Sequence, residues 1–293
     1  MKKYYRQLML ATLTLLAIGC GSSFTEGPSG QQGNTQVLVP PPVAPTTKSH
    51  LRIVNGVGTT QNFIVSIDGA QVDGDLDGLE STQYIELNPG QHTVRIATAT
   101  VATGQATTTV LERQVTTTAN QYASFIIRPA TKVAARSEEI RAAQLPGDTD
   151  VLFVTDDVVT VANTLRARLV NIEEFRNPVQ LENQAGTRLL GPVAQNAAGP
   201  YEAVAATDLQ NSPSLRAQFL DAVGNDAFSR IFTQAQGTAS PIVSSLGNLF
   251  SAAGNNLTVI VCHQATGVTA LLVLVDDANN GNQSVISLQA NDN

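Results

Sequence analysis

Between Leu51 and Asp277 the chain runs through short apolar segments broken by turn residues, and the succession occurs twice. LRIVN (51–55) opens the first pass. NFIVSIDG (62–69) follows with Phe63, Val65 and Ile67 on one side, the period-two pattern of a half-buried strand. TQYIELNPGQHTVRIAT (82–98) reads as two strands joined at Asn88-Pro89-Gly90. TTTVLERQVTT (107–117), QYASFIIRP (121–129) and DVLFVTDD (150–157) complete the strands. VAARSEEIRAA (133–143) is rich in Ala, Glu and Arg and predicts a short helix. In the second pass RARLVN (166–171) answers LRIVN, and VQLENQAG (179–186) answers IVSIDGAQ. GPYEAVAA (199–206) and SLRAQFLDA (214–222) answer the Tyr84 and Arg95 strands. AAGNNLTVIV (252–261) answers TTANQYASFII, and ALLVLVDD (270–277) answers DVLFVTDD.

The spacing between passes is uneven. Asn55 to Asn171 is 116 positions, Tyr122 to Leu257 is 135, and Asp157 to Asp277 is 120. The second pass therefore carries an insertion before its late strands, and the first carries one where the helix is expected. A duplication with loop insertions accounts for both. Charged residues are only 14% and long helical heptads are absent. The fold expected is all-β: two tandem immunoglobulin-like antiparallel β-sandwich modules, at 50–160 and 161–281, with a short helical insertion and a C-terminal tail at 282–293.

The residues RIVN (52–55), SIDG (66–69), NPGQHTVRI (88–96) and VLFVTDD (151–157) resemble domain-of-unknown-function family 4397. The likeness covers Leu51–Asp157 well and Ala167–Asp277 more loosely, since the second pass lacks the D-G and P-G turns. It implies extracytoplasmic β-sandwich modules in envelope proteins. It implies no activity and no catalytic residues.

The N-terminus has a different character. Lys2, Lys3 and Arg6 precede an uncharged run, Leu8–Ile18, and then Leu16-Ala17-Ile18-Gly19-Cys20. That is the secretory signal pattern, and its apolar run is shorter than the ~20 residues a membrane span needs. L-A-I-G-C resembles a lipobox, which implies cleavage between Gly19 and Cys20 and a lipid (diacylglycerol, palmitate-type chains) on the Cys20 thiol. Residues 1–19 are then a lipoprotein signal peptide. Residues 20–49, rich in Gly, Ser, Gln, Thr and Pro, are a lipidated, disordered tether. Two or more acyl chains hold a protein stably on a membrane. Gly21 is not the aspartate that retains enteric lipoproteins at the inner membrane, so the outer membrane or cell surface is expected in a Gram-negative cell.

Without Lys2, Lys3 and Arg6, 14 basic residues face 24 acidic ones, a net charge of −10. This balance excludes a typical nucleic-acid binder. Chemistry-bearing motifs are sparse. No G-x-S-x-G, phosphate loop, H-E-x-x-H or C-x-x-C occurs. His50 falls in the tether, His92 just past a turn, and His263 beside Cys262, which reads as a small buried hydrophobe. Glu138-Glu139 reads as a solvated helix face, and Asp156-Asp157 and Asp276-Asp277, at equivalent strand ends, as turn caps. Asp73-Gly74-Asp75-Leu76-Asp77-Gly78 matches the start of a calcium loop, but the twelfth position is Tyr84 rather than a glutamate. An acidic inter-strand turn is the simpler expectation, with Asp73, Asp75 and Asp77 as the metal candidates.

The expected function is a non-enzymatic, lipid-anchored envelope protein with a structural or binding role and no cofactor. Its partners would be the membrane, through Cys20, and an envelope protein or glycan. The alternative is an envelope hydrolase or carbohydrate-active enzyme with a site in the module-two insertion. A glycan-binding surface favours exposed aromatics, and the chain has no Trp and only Tyr84, Tyr122 and Tyr201 beyond the signal segment.

Overall fold

The first strand, β1 (Ser49–Asn55), is buried on nearly every residue, and its alternate side chains serve two different cores. Leu51 and Ile53 join one apolar cluster, and Val54 joins another. A strand covered on both faces reads as a near-continuous apolar run. The computed structural model describes residues 47–57, 62–99, 107–129, 149–159, 161, 164–173, 177–205, 214–233, 256–263, 269–276 and 286–289. The expected signal segment with Gly19 and Cys20, most of the expected tether, the helix expected at 133–143 and most of the expected module-two insertion lie outside them.

Module one comprises β1, β2 (Phe63–Ile67), β3 (Ala70–Leu76), β4 (Glu80–Ser81), β5 (Ile85–Leu87), β6 (Gly90–Ala99), β7 (Thr107–Thr117), β8 (Tyr122–Pro129) and β9 (Thr149–Asp156). One sheet has the order β3-β2-β6-β7. The other has the order β4-β1-β8-β9, with β5 also pairing to β1. Phe63, Val65, Ile67, Val94 and Ile96 from the first sheet meet Leu51, Ile53, Phe125 and Ile127 from the second. This is the two-sheet sandwich the alternation predicts. Its ladders are antiparallel except β1 with β8, which is parallel.

Two local readings need correction. Asp73–Leu76 is not a turn but the second half of β3, which pairs with β2 across an irregular register. The reversal lies earlier, at Asp68-Gly69, where both residues have positive φ (51° and 81°). A two-residue D-G turn of this hand matches the strand twist and feeds the chain straight back along β2. The Asn88-Pro89-Gly90 turn does not close a hairpin either. It carries the chain from β5 in one sheet to β6 in the other.

Module two repeats this plan: β10 (Leu165–Asn171), β11 (Val179–Asn183), β12 (Arg188–Val193), β13 (Ala197–Ala198), β14 (Glu202–Val204), β15 (Ser214–Leu220), β16 (Asp226–Thr233), β17 (Asn256–His263) and β18 (Thr269–Val275). Its sheets run β12-β11-β15-β16 and β13-β10-β17-β18, with β14 on β10 and a parallel β10–β17 pair. Each strand of module one thus has a counterpart nine places on. The registers refine the sequence match, because β1 sets Arg52 beside Ser124 and β10 sets Arg168 beside Thr258. Ser124 therefore corresponds to Thr258, one position off the Tyr122–Leu257 match, and a one-residue slip exchanges the faces of a strand. One strand has no counterpart in module one: β19 (Ile286–Gln289), from the segment expected as a tail, pairs with β18.

Asn55 and Asn171 explain the repeated ending of the first strands. Asn55 Nδ2 donates to the carbonyl of Asp77 (2.9 Å), and its Oδ1 accepts from Val57 N–H (3.1 Å). Asn171 Nδ2 donates to the carbonyls of Asn177 and Val193 (3.2 Å each), and its Oδ1 accepts from Glu173 N–H (3.1 Å). Both side chains are fully buried. Leaving such backbone groups unpaired costs about 1–3 kcal/mol. Asn55→Ala and Asn171→Ala are each expected to lower thermal stability by about that amount, and circular-dichroism melts check it. Equal melting temperatures for variant and wild type would contradict it.

Candidate functional site: the joint between the modules

The β1 sheet of module one and the β10 sheet of module two pack on each other through their outer faces. Val54, Ile126 and Val154 form one cluster with Val170, Ile260, Leu272 and Leu274. At one end of this apolar contact lies a buried group of charges. Arg52 and Arg168 each open the R-x-V-N end of their strand; their neighbours Leu51, Ile53, Ala167 and Leu169 face the sandwich cores, so alternation aims both arginines into the joint. Asp156 and Asp276 stand at the ends of β9 and β18.

The pairs cross between modules. Arg52 Nη2 donates to Asp276 Oδ1, and Arg168 Nη2 donates to Asp156 Oδ1. Each guanidinium also reaches a carbonyl opposite, Arg52 Nη1 to Val275 (3.2 Å) and Arg168 Nη1 to Thr155 (2.7 Å). Each Nε donates to the hydroxyl beside it in its own sheet, Ser124 at 2.7 Å and Thr258 at 2.9 Å. Those hydroxyls donate onward to Asp156 Oδ2 and Asp276 Oδ2, both at 2.7 Å. Tyr84 and Tyr201 supply a second phenolic donor to the same oxygens, at 2.7 and 2.8 Å. Each tyrosine ring also lies under an arginine, with 4.9 Å from guanidinium carbon to ring centre in both halves. Each of these hydrogen bonds and ring contacts of module one recurs in module two.

The electrostatics follow from this enclosure. The side chains of Arg52, Asp156 and Asp276 have no exposure and that of Arg168 only 3%. Burial opposes the charge on Arg52, but Asp156 and Asp276 outweigh it and hold its pKa above the ordinary value. The same balance raises Arg168. Burial pushes Asp276 above the usual carboxylate range, against the pull of Arg52 and Arg168. Burial likewise raises the phenols of Tyr84 and Tyr201 and keeps them as proton donors. Two cations and two anions sum to zero, so the group is tolerated in the interior only as a whole.

Asp156 and Asp276 are therefore ion-pair partners across the joint, not the turn caps expected. Asp157 does the capping: its Oδ1 accepts from Val159 N–H (3.0 Å) and its Oδ2 pairs with Arg166 (2.7 Å). Asp277 lies outside the described residues. The sequence reading overlooked Arg52 and Arg168. Their signal was present: an arginine opening R-x-V-N at the same position of both repeats.

The other candidates fall elsewhere. Asp73 and Asp75 lie on β3 and Asp77 just beyond it. Asp75 is held by Asn62 Nδ2, and its N–H donates to Asp73 Oδ1 (2.9 Å). Partial burial and then Asp77, Asp73 and Asp75 raise the pKa of Glu80. Among the described residues, no three His, Cys, Asp or Glu side chains gather as a metal site. Cys262 is fully buried in the joint, its thiol against the Ala270 carbonyl (3.5 Å), and burial raises its pKa. Tyr84 is enclosed in the joint, and Tyr122 stacks on His50 with ring centres 4.2 Å apart. His50 is thus part of β1 rather than the tether. His92 bridges two turns, with Nδ1 2.7 Å from Asp68 Oδ2 and Nε2 2.7 Å from the Asn88 carbonyl. No protein-family model matches the chain, and no curated protein matches it.

Removing one member of a buried ion pair strands its partner and typically costs about 3–5 kcal/mol. Asp276→Ala and Arg168→Ala are each expected to destabilise the chain by about that much. The double variant Arg52→Leu/Asp276→Leu should lose clearly less than the sum of its singles in denaturant melts. Additive losses would show that the pairs do not interact.

His92 gives a pH signature. Burial lowers its pKa, but the hydrogen bond to Asp68 outweighs it and leaves the value raised. A raised folded-state pKa gives stabilisation that is complete below the unfolded value, about 6.5, and fades as pH rises through the folded value. The stability gap between wild type and His92→Gln should therefore be full at about pH 5.5 and narrow as pH rises above about 6.5, while Asp68 stays ionised, its pKa lowered chiefly by His92. A gap constant with pH would contradict the pairing.

Proposed function

We propose that this chain is a lipid-anchored protein of the cell envelope whose two β-sandwich modules form a structural or binding body rather than a catalytic one. The observation that carries the reading is Leu16-Ala17-Ile18-Gly19-Cys20 directly after a basic and apolar start. A thiol at that position is where an envelope lipoprotein receives its diacylglycerol, and the Gly-, Ser- and Pro-rich stretch up to Ser49 supplies a spacer to hold the modules off the bilayer. In a Gram-negative cell the outer membrane is the favoured face, since Gly21 follows the anchor.

The site chemistry supports a non-catalytic body. The four best-placed ionisable groups, Arg52, Arg168, Asp156 and Asp276, neutralise one another inside the joint. Two of the three mature tyrosines serve the same joint, which weighs against an aromatic glycan platform and favours a protein or membrane-associated role. The likeness of RIVN, SIDG, NPGQHTVRI and VLFVTDD to domain-of-unknown-function family 4397 agrees with an extracytoplasmic placement.

Labelling cells with a radioactive fatty acid tests the anchor. Wild-type protein should carry label and fractionate with membranes, and Cys20→Ser should carry none and be released from them. An unlabelled wild type would overturn the proposal.

A further inference from the structure

The joint has the signature of a two-fold contact between like subunits: residue i of one half meets residue j of the other, and j meets i. Arg52 meets Asp276 and Arg168 meets Asp156, the same pair crossed. The apolar residues correspond as well. Val54 answers Val170, Ile126 answers Ile260, Leu152 answers Leu272, and Val154 answers Leu274. Module one alone thus carries both halves of the contact: guanidinium, carboxylate, hydroxyl, phenol and apolar patch.

The match fails where Cys262 and Ala270 of module two answer the Arg128–Asp150 pair of module one, and again at Gly56, where the failure is directional. Gly56 corresponds to Ile172, since Gly56 N–H donates to Ile127 O and Ile172 N–H to the equivalent Val261 O, both at 3.0 Å. A Cβ at position 56 would stand 2.3 Å from Ile172 Cδ1. Ile172 therefore packs onto the bare backbone of Gly56. Two module-one faces would bring glycine to glycine and leave a small gap. Two module-two faces would bring isoleucine to isoleucine into space that cannot hold both.

We propose that the outer face of module one is a self-association surface, whose partner other than module two is the same face on a second copy of this chain. In that pairing Arg52 of each copy meets Asp156 of the other. Module two occupies the surface within the chain, helped by the high effective concentration of a tethered partner and by the Ile172–Gly56 fit. On a membrane, where anchored copies are concentrated, displacement of module two would expose the surface to a neighbour.

Two full-chain variants test this, read by light scattering after size exclusion. Ile260→Arg/Leu272→Arg blocks the face of module two and frees that of module one. It should be dimeric, and adding Asp156→Arg should return it to monomer. Val54→Arg/Ile126→Arg blocks module one and frees module two, and should stay monomeric because of Ile172. Monomers in both cases would overturn the proposal. So would dimers in both, since these would reflect generic exposure of apolar surface. If the charged variants do not fold, the size match can be tested in an otherwise native chain. Gly56→Ala should lower the melting temperature, partly because its Cβ would stand 2.8 Å from the Ile127 carbonyl, and the double variant with Ile172→Ala should lose clearly less than the sum of the two singles. Additive losses would show that the two positions are not matched and would overturn the directional pairing.

Discussion

The structure depends on placing two guanidinium groups and two carboxylates where water does not reach. Each charge alone would be strongly disfavoured there, and the desolvation cost of a buried ion is offset only by a partner with good geometry and by hydrogen bonds for its remaining lone pairs. Here each Asp oxygen set is met by an arginine from the opposite module and by a hydroxyl and a phenol from its own. Because the arginine that hydrogen-bonds each carboxylate comes from across the joint, neither module fully satisfies its own charges. Separation would leave Arg52 beside Asp156 only at the 3.5 Å contact and without its Asp276 partner. The two sandwiches are chemically bound to be neighbours.

This requirement propagates outward through the strands. In the sheets that form the joint, the central strands are covered on both faces: β18 is buried at all of its residues, and β1 and β8 at nearly all, while the edge strand β9 is only partly covered. In the outer sheets only one face is covered, and β2 alternates between buried and half-buried. The layers therefore run from an alternating sheet through two sheets with apolar central strands to another alternating sheet, each pattern set by what lies on either side.

The principal strands of the joint sheets, β1, β8, β9, β10, β17 and β18, were the most legible part of the sequence, because they are apolar runs bounded by turn residues. The apolar runs LRIVN, ASFII, LTVIV and LLVLV also announced two covered faces. What covered the second face was not legible, since nothing local distinguishes one apolar layer from another. The strand at Ala70–Leu76 was missed because its aspartates and Gly74 carry turn chemistry, while its pairing with β2 comes from the D-G reversal before it. β16 was missed for a similar reason, its DAFSRIFT mixing polar and apolar residues without clean alternation. The joint itself was legible only by comparison of the repeats. Asp156 and Asp276 look like turn residues until Arg52 and Arg168 are seen at matching positions, and sequence distance hides that each arginine serves the other repeat's aspartate.

An apolar joint of the same area would hold the modules together, and replacing buried ion pairs by well-packed apolar residues is often neutral or stabilising elsewhere. Hydrophobic attraction, however, is non-directional, and two broad sheets faced with Val, Ile and Leu can meet in several rotations at similar cost. Hydrogen bonds are directional, and each arginine here makes them through Nε, Nη1 and Nη2 at once. A small rotation of one sheet on the other would break both crossed pairs together and strand four charges in the interior. The apolar patch supplies the attraction, and the charge group penalises every orientation but one. The Ile172–Gly56 contact adds a steric choice between the two closely matched halves. Attraction, orientation and polarity of the joint thus come from three different sets of residues.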